Sequence, residues 1–439
     1  MSKSRSTRID RLSSLPEHVA HKVFSSLSME DIFRLSSVSR RCWQLCISIP
    51  FLIFDDSRYQ SSEIKRTRLL NNLERMLVAR QGMDTESFNI RWSLENYGIE
   101  EERRVLSWLH TVVKCNVKQL DLDIVLKSEA EFALPHSLLS CLLLESLTLK
   151  FKNGIGILNI PSSISCSGFS SLKSLELKSV RISDSFGDWV SSYCRVLTKL
   201  SLIYTKGAKS IIITSSSLET LKIWLPDNLF RLHVSGEILS YVVLHWTFDS
   251  FPNTRDLQLS TPRLEELFWA GNFLNCGILE NYTSLVKAHI LLFSSCSFTS
   301  MVQYLDCVLR LVHNVRHLSL NEYCLNEYDK TKECCDFENV PFLHNLKSVM
   351  IELPRQGEND LKLINYLLKH AENLQKMTAS YGSPLRSDLT RMIAGYDKAS
   401  SDAEVNIRRV RFYPKALRVS QKNNNSPFDS WELDFVIIL

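Results

Sequence analysis

The sequence contains no apolar run as long as the roughly 18–20 residues that a membrane-spanning helix needs. Its first residues are polar and include no signal-peptide core. The 12 cysteines are spread over the whole length, and their spacing resembles no disulfide framework. These absences argue against a membrane-spanning or secreted protein. They indicate a reducing intracellular compartment, either the nucleus or the cytoplasm.

An excess of one charge is also missing. The formal net charge is only +4, which is too small to indicate nucleic-acid binding. The basic residues are scattered except for an N-terminal cluster and the run at 65–68, Lys-Arg-Thr-Arg. We interpret both clusters as solvated surface, and the alternative is a targeting or anion-binding role.

Recognisable catalytic motifs are absent too. The sequence has no glycine-rich phosphate loop, no G-x-S-x-G turn and no H-E-x-x-H helix. We therefore predict no catalytic residue, no cofactor and no metal ion. An enzyme with a site that carries no known motif is a disfavoured alternative.

A six-residue phrase is repeated along the chain, with apolar residues at its first, fourth and sixth positions. The clear copies are VKQLDL (117–122), LESLTL (144–149), LKSLEL (172–177), LTKLSL (197–202) and LETLKI (218–223). The weaker copies are LSYVVL (239–244), LEELFW (264–269), LVKAHI (285–290), VRHLSL (315–320), LKSVMI (346–351) and LQKMTA (374–379). Their starts lie 21 to 31 residues apart, a period typical of leucine-rich repeats.

The repeat predicts a fold. The fourth and sixth positions point to the same side of a strand, and one strand cannot bury that side alone. Stacked units would build a parallel ladder over a continuous core. We predict an α/β fold, a horseshoe-like leucine-rich-repeat solenoid. The alternative is an unrelated α/β fold with coincidental leucines.

The alternating residues of these strands would face outward on the concave side and could contact a target protein. Their mixture of charged and aromatic side chains suits a protein or peptide ligand rather than a nucleic acid or an anionic cofactor. Trp224 and Phe268 are the best anchor candidates. The predicted target-binding residues are Lys150, Glu176, Lys178, Lys222, Trp224, Phe268, His317 and Asn321.

The stretch from Leu15 to Leu45 predicts three short helices. Pro16 suits the first position of a helix, Ser28 is a plausible N-cap with Asp31 three residues later, and a third helical segment opens at Val38. A domain of about 40 residues usually needs a metal, disulfides or a partner. No zinc-ligand pattern occurs here, so a partner is the better explanation.

The residues of this stretch resemble an F-box, in the order Leu15-Pro16, Val23-Phe24, Leu27, Ile32, Leu35, Val38-Ser39 and Trp43. F-boxes bind the Skp adaptor of SCF-type cullin–RING ubiquitin ligases. The resemblance therefore implies a substrate receptor rather than the enzyme itself. It implies adaptor binding by Leu15, Pro16, Val19, Val23, Phe24, Leu27, Ile32, Leu35, Val38 and Trp43.

Two alternatives remain for these helices. They could simply cap the downstream repeats. A helix-turn-helix is less favoured, because the third helix carries only Arg40 and Arg41 as readers of bases or phosphates. The sequence also departs from the family pattern after the third helix, where Leu45 is followed by Cys46 instead of completing a Leu-Trp pair. We expect this departure to affect the affinity of the helices for the adaptor rather than the presence of the helical unit.

The segment 342–382 resembles the FBD domain that follows the F-box and repeats in plant proteins. A helix is predicted to start at Glu358-Asn359-Asp360, with an apolar stripe at Leu361, Ile364, Leu367 and Leu368, between the strands LKSVMI and LQKMTA. The run 389–407 resembles the closing helix and final strand of that domain. The whole pattern resembles the plant F-box/FBD/leucine-rich-repeat family.

The predicted organisation follows from these features. It consists of a flexible tail (1–8), an F-box (9–53), a linker and N-terminal cap (54–115), degenerate leucine-rich repeats (116–340), FBD-like repeats (341–412) and a tail (413–439). The predicted function is substrate recognition in an SCF-type ligase, with the Skp adaptor, through it a cullin, and an unknown target as partners. The alternative is a protein-binding scaffold without a ligase role, in which the F-box-like helices are only a cap. We predict no nucleic-acid or membrane partner.

Overall fold

The computed structural model describes residues 14–60, 62–80, 82–96, 98–160, 169–247, 255–271, 282–292, 314–321, 344–353, 358–381 and 389–409. The chain forms two compact units, Met1–Ile182 and Ser183–Leu439. The predicted tails at 1–8 and 413–439 lie outside the described residues.

The first unit opens with three short helices, α1 (Glu17–Phe24), α2 (Met29–Ser36) and α3 (Arg40–Ile47). Ser28 Oγ accepts a hydrogen bond from the Asp31 N–H at 3.2 Å and donates one to Asp31 Oδ2 at 2.7 Å. Ser39 Oγ accepts from the Cys42 N–H at 3.0 Å. These bonds satisfy N–H groups that the first turn of a helix leaves without partners. The predicted Ser28–Asp31 cap is confirmed.

Two helix boundaries differ slightly from prediction. Pro16 is the residue before α1, and its carbonyl accepts from the N–H groups of Val19 and Ala20 at 3.0 Å. Val38 precedes α3, because Ser39 is its N-cap. Differences of one or two residues at helix ends are common.

The first unit continues with strands and helices in alternation. They are β1 (Phe51–Asp55), α4 (Glu63–Ala79), β2 (Ser87–Ser93), α5 (Ile99–Lys114), β3 (Gln119–Val125), β4 (Glu131–Ala133), a short 3-10 helix (His136–Ser140), β5 (Ser146–Lys152), β6 (Ile155–Ile157), β7 (Ser174–Lys178) and β8 (Val180–Arg181). The strands β1, β2, β3, β5 and β7 pair in parallel in that order. A second parallel sheet contains β4, β6 and β8.

The ladder begins earlier than the predicted start at residue 116. The segment 54–115, predicted as a linker and cap, contains all of β2, and β1 begins within the predicted F-box. In hindsight, IPFLIF (49–54) fits the repeat phrase, whereas TESFNI (85–90) has a threonine at the first position. Thr85 is nevertheless buried, as the first residue of a phrase should be.

The second unit has the same architecture. It contains α6 (Phe186–Tyr193), β9 (Lys199–Ile203), β10 (Ser210–Ser215), β11 (Thr220–Trp224), β12 (Arg231–Gly236), β13 (Tyr241–Trp246), β14 (Asp256–Ser260), β15 (Glu266–Gly271), β16 (Lys287–Leu292), β17 (His317–Asn321), β18 (Ser348–Leu353), α7 (Glu358–His370), β19 (Lys376–Tyr381), α8 (Leu389–Ala394) and β20 (Glu404–Arg409). Its main parallel ladder runs β9-β11-β13-β15-β16-β17-β18-β19-β20, and a smaller sheet contains β10, β12 and β14.

The predicted fold class is confirmed. Every one of the eleven phrases forms a strand that begins at the third residue of the phrase and pairs in parallel with its neighbours. The predicted C-terminal strand–helix–strand unit is present as β18, α7 and β19. Three residues of its predicted stripe, Ile364, Leu367 and Leu368, are buried, and Leu361 is half-buried.

The core of the second unit follows from the register of its strands. The fourth residues of successive phrases lie side by side and form one apolar row that is at most 3% exposed. The row contains Leu221, Val242, Leu267, Ala288, Leu318, Val349 and Met377. Burial of a large aliphatic side chain contributes about 1.5–3 kcal/mol. The row therefore stabilises the ladder and leaves the alternate residues facing outward.

Candidate interaction surfaces

The three N-terminal helices expose apolar side chains. Val38 is 68% exposed, Val23 is 42% exposed, and Pro16 is also exposed. The half-buried residues of the same predicted surface are Leu15, Val19, Leu27, Leu35 and Trp43. A helical unit this small that leaves two valines exposed has apolar surface available for a partner.

Phe24 and Ile32 occupy a different position from the one predicted. They are 0% and 2% exposed, so they belong to the core of the helical unit. The prediction that they contact the adaptor is corrected, because a folded partner cannot reach them. Their aromatic and aliphatic groups support the helices from inside.

Cys46, where the sequence departs from the family pattern, is also an interior residue. It is 0% exposed, and its Sγ donates to the Ile32 carbonyl at 3.4 Å. Burial, with a smaller contribution from Cys42, raises the pKa of the Cys46 thiol to about 12. A neutral thiol thus fills this position. The departure changes the interior of the helical unit rather than its exposed valines.

A buried arginine holds the helical unit against the first strands. Arg80, just after α4, donates from Nη1 to the carbonyls of Ile47, at 2.5 Å, and Ile49. Its Nη2 donates to Thr85 Oγ1 at 3.0 Å and to the Asp84 carbonyl at 3.3 Å. Burial lowers the pKa of the Arg80 guanidinium. One side chain therefore joins the end of α3 to the segment that leads into β2.

Aromatic contacts support the same junction. The guanidinium of Arg75 on α4 lies 4.5 Å from the ring centroid of Trp43. The rings of Phe33 and Phe54 are stacked at 6.4 Å. The hydroxyl of Tyr59 donates to Glu30 Oε2 at 2.9 Å. The helices are thus seated on β1 and α4 rather than joined to them by a free linker.

The outward face of the first unit is charged. Lys150 Nζ lies 3.0 Å from Glu176 Oε1, so these two predicted target-binding residues form an ion pair. Lys178 is the register partner of Lys150 on the neighbouring strand. Arg91 contacts the carboxylates of Asp123 at 3.1 Å and Asp55 at 3.4 Å. This face therefore carries both positive and negative groups, and several of them form ion pairs.

Asp121 lies in the same charged face. Its Oδ2 accepts a hydrogen bond from Asn89 Nδ2 at 3.1 Å. Burial raises the pKa of the Asp121 carboxyl, and the positive charge of Lys150 opposes this shift. The sequence-based prediction missed Asp121 and Arg91, although both occupy outward positions in the period-two pattern.

The outward face of the second unit carries a group of rings that we call the aromatic cluster, defined as Trp224, His245, Phe268 and His289. The rings of Trp224 and Phe268 are stacked at 6.2 Å, with an angle of 20° between their planes. His245 meets Trp224 edge-on at 4.4 Å, and His289 lies 6.3 Å from Phe268. The two predicted anchors thus lie together, and two histidines extend them.

The aromatic cluster is uncharged at neutral pH. Burial lowers the pKa of His245 to about 4 and lowers the pKa of His289. Lys222 stands beside the rings, with Nζ 5.5 Å from the centroid of Trp224. Both histidines could have been found from the sequence, because they occupy outward positions of their repeat phrases.

The remaining predicted residues lie elsewhere on this face. His317 begins β17 and pairs in register with Lys287, and its Nδ1 lies 2.8 Å from Ser348 Oγ. Asn321 ends β17 opposite Glu352. The outward face therefore contains an aromatic part and a separate polar part.

Within the ranges that the structure describes, no group of three or more histidine, cysteine, aspartate or glutamate side chains is arranged to hold a metal ion. None of the helices that the structure describes has both the length and the apolar character needed to cross a membrane.

The comparisons agree with this architecture. The F-box domain model matches residues 12–54, and the model for the leucine-rich repeats of the FBD-associated F-box protein At5g56370 matches residues 105–240. Similar curated proteins come from Arabidopsis thaliana. The F-box/FBD/LRR-repeat protein At4g03220 is 25% identical over 84% of this chain and 74% of its own length. The FBD-associated F-box protein At1g32375 is 25% identical over 85% of this chain and 93% of its own length.

A capped helical unit followed by a parallel strand ladder defines an F-box protein with leucine-rich repeats. The chain is similar, over most of its length, to plant proteins of the F-box/FBD/LRR-repeat type.

Proposed function

We propose that this protein is the substrate-recognition subunit of an SCF-type cullin–RING ubiquitin ligase. The F-box would dock on a Skp-type adaptor, and the outward face of the strand ladder would hold a target protein. The chain itself would perform no chemistry. Ubiquitin transfer would be accelerated because the target is held close to a charged enzyme supplied by other subunits.

The observation that carries the proposal is the exposed apolar surface of a seated F-box. Val23 and Val38 are 42% and 68% exposed, and Pro16 is also exposed. Together with the half-buried Leu15, Val19, Leu27, Leu35 and Trp43, they form the proposed adaptor surface. Removal of this area from water would favour association.

The seating of the F-box supports a positioning role. Arg80 binds the carbonyls of Ile47 and Ile49 in the F-box and also contacts Thr85 before β2. An adaptor that holds α1–α3 would therefore also orient the first strands. A target on those strands would be presented in one direction rather than at the end of a flexible tether.

The target would contact outward residues of the ladder. The proposed contacts in the first unit are Lys150, Glu176 and Lys178, and those in the second unit are Lys222, Trp224, Phe268, His317 and Asn321. To these we add His245 and His289, because they extend the aromatic cluster. Rigid aromatic side chains are frequent anchors in protein interfaces. The role places the protein in the nucleus or the cytoplasm.

Co-purification with a recombinant plant Skp adaptor tests the proposal. We expect the wild-type chain to retain the adaptor. Val23→Glu combined with Val38→Glu should reduce retention at least tenfold, because a carboxylate on an apolar contact must lose its hydration. Leu15→Ala with Pro16→Ala should weaken binding in the same direction.

The matched control is Val78→Glu on α4, where the valine is 72% exposed but lies outside the F-box. It should bind the adaptor as the wild type does. Failure of the wild-type chain to retain the adaptor would overturn the proposal and favour a scaffold in which the helices only cap the ladder. Equal binding of the adaptor by the wild type and the two double variants would show that these residues do not form the adaptor-binding surface.

A further inference from the structure

Four cations mark the starts of consecutive strands in the second unit, and we call them the basic edge. Lys287 is the first residue of β16 and Lys376 the first of β19. Arg316 and Lys347 immediately precede β17 and β18. The repeat phrase places them here, because its second and third positions turn away from the buried row.

The strand register brings these cations close together. Lys287 pairs with His317, and the Lys347 N–H donates to the Arg316 carbonyl at 2.8 Å. Parallel strands lie about 4.8 Å apart, so four neighbours span only about 15 Å. After burial, Lys287, Lys347 and Arg316 also lower the pKa of His317, which indicates that all three charges act on one imidazole.

Among the residues that the structure describes, one of these four cations is neutralised by an ion pair. Lys287 Nζ is paired with Glu266 Oε1 at 2.7 Å. Arg316, Lys347 and Lys376 are exposed, and among the described residues their side chains form no ion pair. Glu404 is the register partner of Lys376, but its Oε1 accepts a hydrogen bond from Asn406 at 3.1 Å.

We propose that the basic edge binds an acidic segment of the target protein, rich in aspartate or glutamate. This deepens the proposed function, on which it rests for the role of the bound protein. In a polyproline II segment, which has three residues per turn, residues three apart lie on the same side and are separated by about 9 Å, close to two strand spacings. Carboxylates at that interval could reach Arg316 and Lys376 together, with Lys347 between them.

The surroundings favour a short acidic peptide over a nucleic acid. Glu219 and Glu265 are exposed next to the starts of β11 and β15, and Glu266 begins β15. These carboxylates would repel a long polyanion that continued beyond β16. The net charge of the whole chain, +4, is also small.

Fluorescence anisotropy with the full chain tests the inference. The probe is a labelled peptide with glutamate at every third position, and the matched peptide has glutamine there. We expect the glutamate peptide to bind at low salt and to weaken as salt rises, because exposed charges are screened. Arg316→Gln with Lys347→Gln should weaken its binding at least tenfold.

The matched control variant is Lys173→Gln with Lys199→Gln, which removes one lysine just before β7 and one at the start of β9. It should stay within twofold of the wild type. Circular dichroism should show that both double variants are folded. Equal binding of the glutamine peptide, an equal loss in the control variant, or no binding up to about 1 mM would overturn the proposal.

Two further measurements distinguish acidic-peptide binding from nucleic-acid binding and from the proposed ligase role. A single-stranded oligonucleotide that binds more tightly than the peptide and is lost in the same variant would overturn it in favour of nucleic acid. Adaptor co-purification should be unchanged in the Arg316→Gln, Lys347→Gln variant. If the wild type binds the peptide but not the adaptor, the basic edge stands and the ligase role fails.

Discussion

Arg66 and Asp56 form an ion pair in which Nη2 lies 3.1 Å from Oδ2 and both side chains are only 1% exposed. Arg66 Nη2 also donates to the Ser93 carbonyl at 2.7 Å and lies 2.8 Å from Glu101 Oε2. The Ser93 N–H donates to Asp56 at 2.9 Å. The network therefore joins α4 and α5 to the ends of β1 and β2.

Arg66→Ala should destabilise the first unit by about 3–5 kcal/mol, because it leaves Asp56 and Glu101 without their buried counter-charge. Urea unfolding followed by tryptophan emission measures the change, since Trp92 lies against Arg66 at 4.9 Å. Arg68→Ala is the control, because Arg68 is exposed on the same helix. Its effect should stay within about 0.5 kcal/mol. Equal effects of the two variants would contradict the role of the network.

Arg66 also shows where sequence reasoning fails. The run 65–68 predicts a solvated basic surface, and this is wrong for Arg66, which is 1% exposed. Its partners Asp56 and Glu101 are 10 and 35 residues away in sequence. A local charge pattern cannot reveal a counter-charge that only the tertiary fold supplies.

Most strands of the main ladder could be predicted from the sequence. A leucine-rich phrase is a local signal, and the same phrase places Trp224 and Phe268 on the outward side. The smaller sheets lack such a signal, because strands such as β6 have only three residues. The burial of Phe24 could not be distinguished from exposure, because Val23 and Phe24 are adjacent apolar residues and only Phe24 is buried.

Arg80→Met should weaken the attachment of the F-box to the segment that leads into β2. The substitution keeps an apolar stem but removes the donors that bind the carbonyls of Ile47 and Ile49. Buried carbonyls that lose their partners cost about 1–3 kcal/mol. Hydrogen exchange measured by mass spectrometry should become faster in residues 40–50. Arg103→Met, at a site 73% exposed on α5, should leave that exchange unchanged. If hydrogen exchange in residues 40–50 is unchanged in Arg80→Met, the attachment of the F-box does not depend on this side chain.

His245 should make the second unit sensitive to acid. Its pKa is about 4 in the folded chain and about 6.5 when unfolded, because burial disfavours the imidazolium. Between these values the unfolded chain binds a proton that the folded chain does not. The free energy of unfolding therefore has its full value above about pH 6.5. It decreases by on the order of 3 kcal/mol as the pH falls towards 4.

Urea unfolding at pH 7.5 and pH 5.0 checks this effect, with emission from the buried Trp246 and Trp269 as the signal. His245→Gln should be less sensitive to this change in pH than the wild type. His344→Gln, at a side chain 64% exposed, should keep the wild-type sensitivity. If His245→Gln and the wild type lose the same stability at pH 5.0, another group is responsible.

Gly271→Ala should disrupt the end of β15. Gly271 has φ +135°, and a Cβ there would lie 2.0 Å from the Trp246 carbonyl oxygen on the neighbouring strand. Backbone strain and overpacking each cost about 1–3 kcal/mol, so we expect a loss of about 3 kcal/mol or more. Thermal unfolding of the full chain measures this loss of stability.

Gly395→Ala in the same unit is the control, because its Cβ would meet the Met392 carbonyl oxygen only at 3.4 Å and its φ is not positive. A loss confined to Gly271→Ala would show that β15 needs a residue without a side chain to approach β13. Equal unfolding temperatures for both variants would refute this.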